Sequence, residues 1–373
     1  MHEVCSAIPD LKKFLCLLLR GEDTVWPDES DTTFYSEFLA QSSRHGVDLL
    51  IAHLLQEKGA WEQLPSSVKT ELDRRAKQAI AKEMARSNDV TQLGGFLEEA
   101  GIKAMLIKGA ALAYTHYPEP HLRPRVDSDI FIDMADIDKI RDVFSGAGYR
   151  LEGWVYKSHQ FKALRPGFGG QMIKYDVHWR SSNDARFALV IKHSEALKEA
   201  VPISALGGFH AFCGSHALLQ ACLHRAGNPN HDPDRLIWLY DIHLLISGLP
   251  EPELLEFAEL AVRSGLQEIC LEPVEKCRDY FKTRVSGSAL ELLTSNPAVR
   301  SGRRGYRGSQ MALVMDDLRS LAGGRKRMAY CREYLFPPKD YLLQRYGKTQ
   351  FYWLPVLYLR YVLGGVFEKV VLR

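Results

Sequence analysis

Residues 102–133, IKAMLIKGAALAYTHYPEPHLRPRVDSDIFID, decide how this chain is read. Ile102 to Ile107 is nearly all apolar and follows Gly101, the pattern of a buried strand entered from a helix stop. Lys108-Gly109 then turns into a short helix, Ala110 to Tyr117, that Pro118 ends. A second apolar strand, Val126 to Ile132, carries Asp127 and Asp129 on either side of Ser128. In an extended chain these two carboxylates share a face and stand about 6 to 7 Å apart. Free amides at a strand-to-helix turn beside a lysine suit phosphate oxygens, and paired carboxylates suit divalent metals.

Three readings of Asp127-Ser128-Asp129 compete. A calcium loop needs further oxygen ligands at alternating positions and a glycine at the sixth, whereas Ile130, Phe131 and Ile132 follow here. A structural reading has the two residues cap a turn or pair with Arg123 and Arg125. A metal-binding reading asks for a further carboxylate on a neighbouring strand, and one is available. Met172 to Trp179 alternates, with Ile173, Tyr175, Val177 and Trp179 on one face and Lys174, Asp176, His178 and Arg180 on the other. With Phe161 to Leu164 across the RPGFGGQ turn it forms an expected β-hairpin presenting Asp176. Three carboxylates of this kind can hold two Mg²⁺ ions about 3.5 to 4 Å apart. Asp133, about 13 Å further along the strand, is out of reach.

Around this centre the periodicity is helical. Amphipathic helices are expected from about Ile8 to Leu19, within Asp31 to Leu55, and from Ser66 toward Ala100, where Val90, Leu93, Phe96 and Leu97 share a face. Asp133 or Asp136 caps a helix bearing Ile137, Ile140 and Phe144. Beyond about Ser182 the chain reads as all-α, with helices at Ser215 to Ala226, Arg235 to Ser247 and Glu251 to Ser264. The expected class is α+β: a small mixed sheet flanked by helices, divided into an N-terminal helical segment (1–85), a catalytic core (86–200) and a C-terminal helical domain (201–373).

The 373 residues include 46% hydrophobic and 25% charged residues, and 48 basic against 46 acidic side chains give no strong pull toward nucleic acid. Arg300 to Arg307 and Gly323 to Arg327 read as basic surface loops without an aromatic platform. The seven cysteines are scattered and never spaced as Cys-x-x-Cys, which argues against a disulfide framework and a structural zinc site and for a reducing cytoplasm. The N-terminus lacks a basic stretch and a small-residue cleavage site, so a helix is expected there and not a signal peptide. The final FYWLPVLYLRYVLGGVFEKVVLR is too interrupted by Pro355, Arg360, Glu368 and Lys369 to be an integral membrane segment. It reads as a docked amphipathic helix, with membrane-surface contact as the alternative.

LIKGAALAYTHYPEPHLRPRVDSDIFI, KYDVHWR, HALLQACLHRAG with RLIWLYDIHLLI, and YLFPPKDYLLQRYG together resemble a poorly characterised bacterial nucleotidyltransferase family of the DNA polymerase beta-like superfamily. The likeness covers most of the chain. It implies that Lys108 and Gly109 form the nucleotide-binding turn, that Arg123, Asp127 and Asp129 form the metal-binding segment, and that Asp176, His178 and Trp179 match the strand bearing the third carboxylate. The sequence departs from the pattern at Arg125, Val126 and Ser128. His224 and Asp241 match helical motifs; for Asp241 a structural ion pair and a role facing the nucleotide both stand. His216, His231 and His243 read as surface or packing residues, because their spacings give no tight zinc set.

The implied activity is Mg²⁺-dependent transfer of NMP from an NTP, with ATP the expected donor, to a hydroxyl of a small molecule, protein or RNA, releasing pyrophosphate. Asp127, Asp129 and Asp176 would be catalytic and metal-binding; Lys108, Gly109, Arg123 and Asp241 would bind the nucleotide. The alternative is a catalytically silent nucleotide-binding or scaffold protein that keeps the fold. No Walker lysine motif or kinase catalytic loop is present.

Overall fold

A computed structural model describes residues 10–153, 159–167, 170–184, 187–227 and 232–295, and, further on, 314–315, 318–319, 323–337, 339, 342–343 and 346–370. His231 and the Arg300 to Arg307 stretch lie outside these residues.

Helix α1 (Leu11–Leu19) starts at Asp10, whose side chain accepts from the Lys13 amide. The helical pattern from Asp31 resolves into α2 (Thr32–His45), capped by Asp31, and α3 (Asp48–Glu57). They are separated by Gly46, whose φ of 72° places it in the left-handed region. The 34-residue α4 (Ser66–Glu99) follows, and Gly101, also left-handed, turns the chain into β1 (Met105–Ile107). Then come α5 (Lys108–Thr115), β2 (Ser128–Phe131), α6 (Ile137–Gly146), β3 (Arg150–Glu152), β4 (Gln160–Pro166) and β5 (Met172–His178).

After the short α7 (His193–Ala196) the chain is not wholly helical, contrary to the all-α expectation from its periodicity. Val201–Pro202 (β6) and His210–Ala211 (β7) form a small antiparallel pair, and β7 runs parallel to β1. The sheet order is β3-β4-β5-β2-β1-β7-β6, so β1 and β2 are central. Helices α8 (Gly214–Ala226), α9 (Leu236–Gly248), α10 (Glu251–Ser264), α11 (Gln267–Phe281) and α12 (Gly287–Thr294) complete the main body. Residues 324–327, read from sequence as part of a basic loop, open the helix Gly324–Leu335. The last described helix is Leu354–Val370; among the described residues no helix is long and apolar enough to cross a membrane.

Strand alternation sorts the core into two layers. Leu106, Ile130, Ile132, Ile173 and Tyr175 pack with Val90, Leu93 and Leu97 of α4 and Ile140 and Phe144 of α6. Met105, Ile107 and Phe131 face the other way and join a core containing Phe14, Phe38 and Leu50 from the N-terminal helices and Leu219, Leu239 and Phe257 from the C-terminal ones. The two terminal helical regions, far apart in sequence, therefore share one core on one face of the sheet. Asp129 lies two residues from Phe131 and so faces that helical body.

Polar anchors tie α4 to the other layer. Buried Asp89 accepts from the hydroxyls of Tyr175, at 2.7 Å, and Tyr149, and pairs with Arg165. Glu83 accepts from Tyr114 and pairs with Arg125, whose carbonyl accepts from Arg86. Arg125, a departure from the family pattern, thus pairs through Nη2 with Glu83 and not with the Asp127-Asp129 pair.

Candidate active site

Register brings the strand carboxylates together. Ile107 is the cross-strand partner of Asp129, and Asp129 that of Asp176 across the parallel β2–β5 pair. Lys108, the residue after Ile107, stands at the mouth of this row. Its φ of 56° is unusual for a residue with a Cβ, and a strained backbone of this kind persists where surrounding contacts fix it. Its Nζ donates to Asp129 Oδ1 at 2.6 Å.

His178, two residues beyond Asp176 on β5, completes the group. Its Nε2 lies 2.8 Å from the same Asp129 Oδ1, which assigns the proton to Nε2, since a carboxylate oxygen only accepts. Asp129, Asp176 and His178 bring potential ligand atoms within 4.8 Å of one another. Asp127 precedes β2, lines the same cavity and has no hydrogen bond or ion pair among the described residues. Because His178 Nε2 carries the proton given to Asp129, the groups left to hold a cation are the carboxylates of Asp129 and Asp176, with Asp127 on the adjoining wall. The sequence places His178 on the face of the strand that bears Asp176 and as a motif match, without a role in the site. The signal for its place was its i, i+2 position after Asp176 on an alternating strand.

The electrostatics divide the carboxylates. At Asp129, burial pushes the pKa up, but Lys108 and the His178 hydrogen bond outweigh it and hold the carboxyl far below the usual range. Asp127 is raised, by burial first and then by the charges of Asp129 and Asp176. Asp176 is raised by burial and by Asp129. His178 is lowered by burial and by Lys108, which favours the neutral ring. Lys108 lines the cavity with the three carboxylates, Lys162 and Lys174 act on Asp176 from the sheet, and both hydrogen bonds to Asp129 fall on Oδ1. The groups facing the cavity are hard carboxylate oxygens, so a divalent Mg²⁺-type cation fits them.

The cavity around this group, about 270 Å³, is closed on the helical side by Gln220 and His224 of α8 and Trp238 of α9. A neighbouring cavity of about 220 Å³ shares Lys108, Gln220, His224 and Trp238 and is lined mainly by apolar groups, among them Leu112, Phe212 and Leu249. His224, between the two, has its pKa lowered to about 3, by burial first and by Lys108 next. Gln220, unmarked in the sequence reading, donates Nε2 to the Ser181 carbonyl at 2.9 Å. Its buried Oε1 has no hydrogen-bond partner.

Arg123 and Asp241, expected near the nucleotide, are committed to each other. Arg123 Nε and Nη2 donate to the two Asp241 oxygens at 2.8 and 2.6 Å, and Tyr117 Oη donates to Oδ1 at 2.8 Å. The pair is 6% and 5% exposed. It joins the segment leading into β2 to α9. The same contact explains Gly109, because a Cβ there would lie 2.9 Å from Arg123 Nη2. Both residues and Gly109 also line the apolar cavity. His243 packs on Phe281 and bonds to Thr283, in keeping with a packing role.

The family model described as "Uncharacterised nucleotidyltransferase" matches residues 33–282. No protein of curated function matches the chain. Among solved structures, that of an antigenic nucleotidyltransferase-like protein from Paracoccidioides brasiliensis is similar to it with a TM-score of 0.37 and 18% identity. The match covers 55% of this chain and 96% of that one.

Proposed function

The chain belongs to the uncharacterised nucleotidyltransferase family, and from that premise we propose that it transfers NMP from an NTP to a hydroxyl acceptor, releasing pyrophosphate, with Mg²⁺ held by Asp127, Asp129 and Asp176. The observation that carries this is the facing of Asp129 and Asp176 across β2 and β5, with Lys108 at the open end. When bound, two Mg²⁺ ions supply charge neutralisation of the phosphates and activation of the attacking hydroxyl.

The chain's own groups account for the rest. Lys108 offers a fixed ammonium to phosphate oxygens at a helix start. His178 donates to Asp129 and holds it oriented. Asp176, with its raised pKa, is the carboxylate suited to receive the proton of the acceptor hydroxyl. Arg123 and Asp241 support the site by anchoring the segment before β2 to α9. The apolar cavity behind Lys108 gives room for the non-phosphate part of a substrate. Gln220 lines that cavity and its buried Oε1 has no hydrogen-bond partner, so it would accept from the exocyclic amino group that ATP, GTP and CTP carry and UTP lacks.

The buried free thiols Cys16, Cys222, Cys270 and Cys277 support a cytoplasmic setting. Thermal melting with Mg²⁺ and each NTP tests the nucleotide site: at 100 times its dissociation constant, a ligand stabilises the fold by about 2.7 kcal/mol. Stabilisation by none of the four NTPs would refute the reading. Stabilisation without any transfer would establish the silent binding protein instead.

A further inference from the structure

The β6–β7 edge of the sheet carries a second, chemically different cluster. Glu199 lies just before β6, Cys213 just after β7, and His216 in the first turn of α8. Cys213 Sγ is 3.0 Å from His216 Nδ1 and 3.5 Å from Glu199 Oε2, and Nδ1 and Oε2 are 3.5 Å apart. A fourth group, Ser215 Oγ, lies 3.3 Å from the same sulfur.

The arrangement converges and does not relay. A thiol-imidazole-carboxylate triad uses both ring nitrogens of its histidine, one toward sulfur and one toward the carboxylate. Here both partners address Nδ1. Ligands of a single ion behave in this way. Zinc bonds of about 2.3 Å to sulfur and about 2.0 to 2.2 Å to nitrogen and oxygen give tetrahedron edges of about 3.4 to 3.6 Å. The three observed separations approach those edges.

We propose that Glu199, Cys213 and His216 bind one zinc-type divalent cation, with the fourth position left to solvent. The thiolate and imidazole select a borderline-soft ion such as Zn²⁺ over Mg²⁺, so this site is distinct in kind from the all-carboxylate cluster. Binding releases the Cys213 proton to solvent, and Ser215 remains placed to hydrogen-bond the sulfur. The ion closes the loop that leaves at Glu199 and returns at Cys213, 14 positions later, and so pins the edge pair to α8. Spacing conceals the set because only Cys213 and His216 are near neighbours in sequence, and His216 reads there as a surface or packing residue.

The experiment titrates the chelator-treated full chain with Co²⁺ alone as the probe, reading the thiolate-to-cobalt charge-transfer absorption, and then displaces it with Zn²⁺. One equivalent should generate the band in the wild type and in Asp176→Asn. Cys213→Ser should abolish the band, and Glu199→Gln should weaken binding at least about 10-fold. Zn²⁺ should raise the melting temperature of the wild type and lose that effect in Glu199→Gln, a substitution at an exposed side chain that leaves the fold intact. No band in the wild type, or a band unchanged in Cys213→Ser, overturns the assignment.

Discussion

Asp129 and Asp176 are cross-strand partners in the parallel β2–β5 pair, yet their protons are held very differently: Asp129 is pinned ionised by Lys108 and His178, while Asp176 is pushed toward the protonated form. Two carboxylates facing one another with unequal affinity for protons can share out the work of holding a cation and receiving a proton.

The first prediction concerns stability without metal. Asp127 and Asp176 have folded pKa values above the ordinary carboxyl value, so ionising them costs stability as pH rises through those raised values. Asp129 has the opposite sign: its stabilisation is present above the ordinary value and is lost as pH falls through its depressed one. Asp127→Asn and Asp176→Asn should therefore raise the melting temperature of the metal-free protein at neutral pH, and Asp129→Asn should lower it. Mg²⁺ should stabilise the wild type and neither Asp127→Asn nor Asp176→Asn. Differential scanning calorimetry across pH and Mg²⁺ checks both.

Lys108 shares Asp129 Oδ1 with His178 and competes there with any cation. Lys108→Met should raise the affinity for Mn²⁺ in the absence of nucleotide while weakening the NTP on the order of 10-fold, the loss expected for one charge-assisted contact. Magnetic resonance of Mn²⁺ with and without nucleotide separates the effects. A fall in both affinities would remove the competition argument.

The Arg123–Asp241 pair is buried and bidentate, so breaking it leaves an unpaired charge inside the protein. Arg123→Met or Asp241→Leu should destabilise by about 3 to 5 kcal/mol, and the double substitution should recover most of that loss. Urea unfolding of the four proteins measures the coupling. Equal stability of singles and wild type would free the pair for direct nucleotide contact.

Gln220 lines both cavities, and its buried Oε1 has no hydrogen-bond partner. Gln220→Leu should lower affinity for ATP by about 1 kcal/mol and spare UTP, whose base lacks the amino group. Calorimetry with both nucleotides decides it, and an equal loss for the two would exclude base reading by this residue.

The centre of the fold was legible because β1 is an apolar run bounded by Gly101 and Lys108-Gly109, and because β5 alternates along its length. Both are local signals. Val201–Pro202 and His210–Ala211 were not legible: two-residue strands carry no periodicity, and β7 exists through its distant pairing with β1. The buried acids Asp89 and Glu83 also escaped notice, since they lie among many charged residues on α4 and only the tyrosines and arginines from elsewhere reveal their burial. Within the site, Asp127, Asp129, Asp176 and Lys108 were read from motif order. Gln220 required the packing of α8 over the sheet.

The catalytic assignment is tested most directly by parallel incubation of wild type, Asp176→Asn and Asp133→Asn with α-labelled and γ-labelled ATP, Mg²⁺ and a cell extract. Asp133 caps the turn after β2, accepting from the Ala135 amide, and so serves as the internal control. The expected result is transfer of α label to an acceptor by the wild type and Asp133→Asn, no transfer of γ label, and a loss of at least about 100-fold in Asp176→Asn, about 2.7 kcal/mol of transition-state stabilisation. Transfer of the γ label, or undiminished α transfer by Asp176→Asn, would contradict it.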